Sequence, residues 1–285
     1  MKREIKLAKE AGFCRGVRRA VDLAEAALQE KTPIYSLGPL IHNPSVISDL
    51  QKKGMKVLAP GPSIKDLEEL PKASRLLIRA HGVSKELRER LEKSSLNLID
   101  GTCPHVIGIQ RKVAKAAAEG RQVIILGDKG HAEVLGLLGF TKEGVALSTV
   151  EEAQNFISAR PLTVVSQSTL DKETFESVTK ILRQRFPEAE IYDTRCDATE
   201  KRQSEAITLC AECEAMVVIG GLNSANSNRL AKLCFQSGKP TFFVTDLENF
   251  DPAPLAKFSK IGLTAGASTP QSDIERVLHA LQTLP

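Results

Sequence analysis

Two rhythms of apolar and polar positions alternate along this chain. Short, mostly apolar runs, Ile34-Tyr35-Ser36-Leu37, Val123–Leu126 and Met216–Ile219, have the length of strands buried on both faces. Further runs recur in phase with them: Leu76-Leu77-Ile78, Leu162–Val165 and Ile261–Thr264, then Lys56-Val57-Leu58, Val145-Ala146-Leu147 and Thr241–Val244. Segments of helical period lie between, such as Val17–Leu28, Val106–Ala118 and Lys201–Cys213. Strands alternating with helices predict an α/β fold with mainly parallel sheets.

The pattern repeats three times with a period of about 90 residues, too long for a solenoid and right for tandem domains. Cys14, Cys103 and Cys196 mark it, with spacings of 89 (103 − 14) and 93 (196 − 103) residues. Gly38, Gly127 and Gly220 each close an apolar run 24 residues after a cysteine (38 − 14, 127 − 103, 220 − 196). Three small pseudo-threefold-related α/β lobes are expected, spanning 1–98, 99–190 and 191–285, with one of these cysteines in each.

A strand leads into every one of the three cysteines: Ile5–Ala8, Leu96–Asp100 and Ile191–Thr194. Pro104 suits a first helical position, which makes Cys103 an N-cap, and Cys14 and Cys196 stand at the same junction. A helix N-terminus favours the thiolate, the form that binds metal. Ligands of parallel α/β sheets bind beyond the carboxyl ends of the strands, so three such units facing inward would bring three thiolates to one centre. Zinc held with a histidine is one occupant, and a 4Fe–4S cluster with one iron left open to substrate is another. Cys210, Cys213 and Cys234 are expected to be buried core residues, because the Cys210-Ala211-Glu212-Cys213 spacing has no second pair to complete a zinc site.

Composition narrows the partners. A formal charge of +4 over 285 residues, with no Trp and two Tyr, leaves few stacking platforms and no basic arm for nucleic acid. No apolar run is long enough for a membrane span and no signal-peptide core follows Met1, so a cytoplasmic protein is expected. Six cysteines in such a chain point to metal or redox chemistry before disulfides.

Polar groups at the strand ends suit an anionic ligand. His42, His81 and His131 follow strands at related places in the repeat. In the third repeat Gly221-Leu222-Asn223-Ser224-Ala225-Asn226-Ser227 and Ala267-Ser268-Thr269-Pro270 offer hydroxyls, amides and helix starts. Asn43 is expected to cap a helix beginning at Pro44, and Thr269 one beginning at Pro270. A phosphate or diphosphate is the natural ligand, and the absence of GxxxxGK[ST] excludes a P-loop. Glu133, two residues beyond His131, is placed to hold a proton, since a carboxyl beside a polyanion favours its neutral form.

These stretches closely resemble the family of 4-hydroxy-3-methylbut-2-enyl diphosphate reductases. The residues that carry the resemblance begin with Gly12-Phe13-Cys14-Arg15-Gly16-Val17-Arg18-Arg19-Ala20-Val21, Leu40-Ile41-His42-Asn43, Ala80-His81-Gly82 and Asp100-Gly101-Thr102-Cys103-Pro104. They continue in Gly130-His131-Ala132-Glu133-Val134-Leu135-Gly136, Asp193-Thr194-Arg195-Cys196-Asp197-Ala198-Thr199, Asn223–Leu230 and Thr264–Pro270. The resemblance implies a three-lobed fold around one 4Fe–4S cluster held by Cys14, Cys103 and Cys196, with the fourth iron open. It implies diphosphate contacts from His42, His81, His131, Ser224, Asn226 and Ser268, with Ser168 also binding substrate. It makes Glu133 the proton-relay acid, assisted by Ser168 and His131. The implied reaction is reductive dehydroxylation of an allylic diphosphate to isopentenyl and dimethylallyl diphosphates. It is the last step of the non-mevalonate isoprenoid pathway, with ferredoxin or flavodoxin as electron donor.

The chain departs from the pattern at Ser168-Thr169, where Thr-Thr is usual, at Ala225, where a second serine is common, and at His105, Ile107 and Gly108. Two rival readings stand beside this one: a dehydratase like quinolinate synthase, which also has one cluster cysteine per lobe, and a non-catalytic iron–sulfur or zinc sensor on the same scaffold.

Overall fold

The computed structural model describes residues 3–59, 66–67 and 69–284. Its strands are β1 (Glu4–Leu7), β2 (Ile34–Ser36), β3 (Lys56–Val57), β4 (Arg75–Ile78), β5 (Asn97–Asp100) and β6 (Gln122–Leu126), followed by β7 (Val145–Leu147), β8 (Leu162–Ser166), β9 (Glu190–Ile191), β10 (Ala215–Ile219), β11 (Thr241–Val244) and β12 (Lys260–Ala265). They form three four-stranded sheets ordered β3-β2-β4-β5, β7-β6-β8-β9 and β11-β10-β12-β1. All the pairings are parallel. The expected α/β class and parallel sheets are therefore present, and the three orders are equivalent.

The strand before each cysteine is an edge strand in every case: β5 before Cys103, β9 before Cys196, β1 before Cys14. Each completes the sheet of the residues that precede it in the repeat. For the first cysteine the partner lies at the other end of the chain, and β1 pairs with β12 from Glu4 opposite Lys260 to Leu7 opposite Leu263. Boundaries at 98/99 and 190/191 accordingly fall inside β5 and β9, and β1 belongs with residues 215–265. The chain forms two compact units. One comprises Met1–Arg18, Ile41–Ser48 and Asp197–Pro285, and holds the sheet containing β1; the other comprises Arg19–Leu40 and Asp49–Cys196, and holds the other two sheets.

Burial on both faces explains the apolar runs. In the β6–β8 sheet, Ile124, Leu126, Leu162 and Val164 pack with Phe175 and Leu182 on one side. Val123, Ile125 and Val165 pack with Ile109, Val113, Val134 and Leu137 on the other. Each such side chain contributes roughly 1.5–3 kcal/mol by leaving water. β9 is shorter than the expected Ile191–Thr194 strand because the Thr194 hydroxyl takes over from the ladder. Its Oγ1 accepts the Ser166 N–H at 2.7 Å and donates to the Ser166 carbonyl at 2.7 Å.

The repeat glycines stand at equivalent places for different reasons. Gly38 adopts φ +75°, a left-handed conformation that favours glycine. At Gly127 a Cβ would lie 2.6 Å from Gln167 Oε1, and at Gly220 2.2 Å from Ser227 Oγ, so close packing excludes a side chain.

Candidate active site

Cys103 caps the helix Pro104–Ala118, as expected, and Cys14 and Cys196 immediately precede the helices Arg15–Leu28 and Asp197–Glu212. One backbone bond fixes all three. Cys14 N–H donates to the Ala267 carbonyl (3.2 Å), Cys103 N–H to Ala80 (2.9 Å) and Cys196 N–H to Ser168 (2.8 Å). Each acceptor stands two residues beyond the end of β12, β4 or β8, so strand ends set the cysteine positions. The Val17 N–H, in the first turn of its helix, points at Cys14 Sγ (3.5 Å). None of the six cysteines is in a disulfide; these three are half-buried, whereas Cys210, Cys213 and Cys234 are buried. The latter sit in the core beneath β10 with Met216 and Val218, and burial pushes the Cys213 thiol up. The donor set thus sorts into three accessible thiols at helix starts and three core thiols, and the first set fits a metal cluster that prefers thiolate ligands.

In the unit that holds Cys103 and Cys196, the helix Ala132–Leu138 carries Glu133 and begins at His131. Glycine at the end of this helix lets it sit against the turn at residues 81–84: a Cβ on Gly139 would lie 2.8 Å from Ser84 Cα. That approach sets the His81 and His131 rings edge-to-face with centroids 5.3 Å apart. His131 caps the helix, its Nδ1 accepting the Glu133 N–H at 3.1 Å. Nδ1 therefore carries no proton, and Nε2 is the donor of the neutral ring.

Glu133 is 2% exposed. Its Oε1 accepts the Ser168 N–H and its Oε2 the Ser168 Oγ–H, both at 2.6 Å. Ser168 thus holds the Glu133 carboxylate with two donors and the Cys196 amide with its carbonyl. Gln167, fully buried, locks the two loops together: its Oε1 accepts the Asp128 N–H and its Nε2 donates to Thr169 Oγ1, each at 2.9 Å. Nothing in the sequence except its place beside Ser168 marked Gln167. Arg19 was missed as well; its guanidinium donates to the carbonyls of Thr102 (3.2 Å) and Asp100 (3.0 Å), bracing the turn before Cys103. Burial pushes the Asp100 carboxyl up, but the hydrogen bonds from Thr102 and the Arg88 guanidinium together outweigh it and hold the group below its ordinary range.

The other unit holds Cys14, His42, Ser224, Asn226 and Ser268. Asn43 caps the helix Pro44–Lys52 as expected, its Oδ1 accepting from the N–H groups of Ser45 (3.0 Å) and Val46 (3.2 Å). The Ser268 hydroxyl donates to the His42 carbonyl at 3.1 Å. Gly221 also sits against this carbonyl, where a Cβ would approach to 2.9 Å. Ser224 caps the helix Ala225–Gln236. Asn226 is 3% exposed, and neither its Nδ2 nor its Oδ1 has a hydrogen-bond partner among the described residues. A buried amide of this kind is costly without a ligand, so its presence argues for a polar molecule here. Thr269 is not a cap: its hydroxyl donates to the Ile219 carbonyl (3.2 Å), and Pro270 is the N-cap of the helix Gln271–Gln282. The Ile219 carbonyl, at the end of β10, also accepts the Gly266 N–H (2.8 Å), so the Thr269 hydroxyl is its second donor and is turned away from the helix start.

The family model described as LytB protein matches residues 5–282. The chain belongs to the LytB family. It is 39% identical over 284 residues to a 4-hydroxy-3-methylbut-2-enyl diphosphate reductase of Caldanaerobacter subterraneus subsp. tengcongensis, covering 99% of this chain and 97% of that protein. Its fold resembles that of the E-1-hydroxy-2-methyl-but-2-enyl-4-diphosphate reductase from Plasmodium falciparum with a TM-score of 0.92 at 28% identity, covering 100% of this chain and 90% of the other. A second solved structure, of (E)-4-hydroxy-3-methyl-but-2-enyl diphosphate reductase, the terminal enzyme of the non-mevalonate pathway, matches with a TM-score of 0.72 at 34% identity, covering 98% and 99%. The three parallel-sheet α/β units are thus the LytB fold. No helix among the described residues is long and apolar enough to cross a membrane.

Proposed function

We propose that this LytB-family chain is an oxidoreductase that reductively dehydroxylates 4-hydroxy-3-methylbut-2-enyl diphosphate to isopentenyl and dimethylallyl diphosphates, the last step of the non-mevalonate pathway. The observation that carries the reading is the buried Glu133 carboxylate held by both donors of Ser168, whose carbonyl in turn fixes the amide of Cys196. The end-to-end match to reductases of this name supports it.

In this reading Cys14, Cys103 and Cys196 hold a 4Fe–4S cluster. When bound, that group supplies two electrons, one at a time from ferredoxin or flavodoxin, and a Lewis-acidic iron without a protein thiolate. The protein's residues do the rest. His42, His81, His131, Ser224, Asn226 and Ser268 bind the diphosphate. His131 offers its Nε2–H, because Nδ1 is engaged by the helix it caps. Asn226 offers an amide whose polar atoms no described residue occupies. Two protons and two electrons enter, the carbon–oxygen bond of the allylic alcohol breaks, and the oxygen leaves as water. When Glu133 takes up one of these protons on Oε2, its hydrogen bond with Ser168 reverses so that Oε2–H donates to Oγ, and Ser168 Oγ receives that proton while passing its own to the departing hydroxyl.

Anaerobic reconstitution with iron and sulfide, followed by oxidation of a reduced dye upon addition of the allylic diphosphate, tests the proposal. Substrate-dependent oxidation with the two isopentenyl isomers as products is expected. Turnover without net electrons would favour the quinolinate-synthase-like dehydratase, and about one zinc with no sulfide would favour a sensor.

A further inference from the structure

His105 stands two residues inside the helix that Cys103 caps. Its imidazole Nε2 meets the Thr194 carbonyl at 2.7 Å, two residues before Cys196. A carbonyl only accepts, so Nε2 carries the proton and donates in either charge state of the ring. The far end of this bond is itself anchored. Thr194 is 5% exposed, and its hydroxyl is tied to Ser166 at the end of β8 by the N–H and C=O contacts described above, both 2.7 Å. The Arg195 side chain, which is 8% exposed, reaches back to Asp193 at 2.6 Å and lies over the Phe175 ring at 5.3 Å, so the segment entering Cys196 has little freedom. The near end is a rigid helix whose first residue is proline.

We infer that His105 is a positioning residue, a strut that pins the first turn of the Cys103 helix to the segment entering Cys196 and thereby helps retain whatever cluster those thiolates hold. The inference rests on the proposed role of the two cysteines as cluster ligands. The two segments hang from different sheets: Cys103 follows β5, which pairs with β4, and Cys196 follows β9, which pairs with β8. The amide bonds that fix each cysteine run within its own sheet system, from Cys103 to Ala80 and from Cys196 to Ser168. They define where each thiol leaves its strand end, while the Cys103 helix comes to the other sheet through Ile109 and Val113, which pack on β6 and β8, and through Lys112, which lies over the Tyr192 ring at 4.6 Å. The His105–Thr194 bond crosses between them, and it does so through a side chain, so substitution can remove it without touching the backbone ladder or any thiol.

Glutamine and asparagine separate this role from a general effect of substitution. Glutamine places its amide nitrogen about where Nε2 lies, whereas the asparagine amide reaches only about as far as Nδ1. The experiment compares wild type, His105→Gln and His105→Asn as anaerobically reconstituted holoproteins, following loss of cluster absorbance to an iron chelator and the EPR signal of the reduced cluster. His105→Asn should lose its cluster about 2- to 10-fold faster than wild type, the range one net hydrogen bond supports, and broaden or shift the EPR signal. His105→Gln should track wild type in both. Equal loss rates and identical spectra in all three proteins would overturn the strut. Equal changes in both variants would overturn it too, since that pattern reports the loss of the ring rather than of the bond. If the Asn variant fails to fold, His105→Phe, which keeps the ring shape and removes the donor, takes its place with the same criteria. Failure of the wild-type chain to assemble any cluster would instead refute the ligand assignment on which the inference rests.

Discussion

Replacing Ser168 by alanine isolates one hydrogen bond. The Ser168 N–H still donates to Glu133 Oε1 and the Ser168 carbonyl still holds the Cys196 amide, so only the 2.6 Å Oγ–H bond to Oε2 is lost. With Glu133 only 2% exposed, bulk water does not readily replace that donor. A hydrogen bond to a charged group is worth about 1.5–3 kcal/mol net. At 1.36 kcal/mol per factor of ten, that alone corresponds to about 10- to 150-fold in rate if it is made in the transition state. Loss of a proton relay costs typically about 10²- to 10⁴-fold. The expected fall in kcat is therefore about 100-fold or more, with cluster content and absorbance unchanged because the backbone contacts remain. Ser168→Thr, which keeps the hydroxyl, should retain kcat within about tenfold. Steady-state dye oxidation on protein of verified iron and sulfide content gives both numbers. An alanine variant with a full cluster and a kcat within threefold of wild type would show that the Ser168 hydroxyl moves no proton.

Cysteine function should divide as exposure does: Cys103→Ser abolishes the cluster chromophore and turnover, while Cys213→Ala keeps both and lowers the unfolding midpoint, as absorbance and thermal denaturation would reveal. Gly127→Ala places a Cβ 2.6 Å from Gln167 Oε1 and 2.7 Å from Gln167 Cβ, and should cost about 1–3 kcal/mol in urea unfolding through overpacking. Asn226→Ala should raise KM for the diphosphate yet leave the stability of the ligand-free chain unchanged or higher, because the buried amide has no described partner to lose; a marked drop in stability would point to a structural role instead. Asp100→Asn should be less stable than wild type at pH 7. Because the folded-state pKa of Asp100 is depressed, its contribution is present above the unfolded value and is lost as the pH falls through the folded one, so denaturation curves of the two proteins should converge in acid.

Residues close in sequence carried most of what could be read without coordinates. The apolar runs became β2, β4, β6, β8, β10 and β12, and the cysteine–proline step became an N-cap, because burial on two faces and helix-start chemistry are local constraints that leave local patterns. The sorting of six cysteines into two groups was legible for the same reason, since three occupy junctions and three lie within helix-period or apolar segments. Long-range pairing was not legible. That β1 completes the sheet of β12 depends on edge-strand pairing of residues 256 positions apart (260 − 4), and backbone ladders are indifferent to which side chains they carry. The triple duty of Ser168, the Gln167 clamp and the His105–Thr194 bond likewise belong to tertiary structure. Each joins a polar side chain to a backbone group of another loop, an interaction with no sequence period, decided only once packed sheets have brought the two within hydrogen-bonding distance.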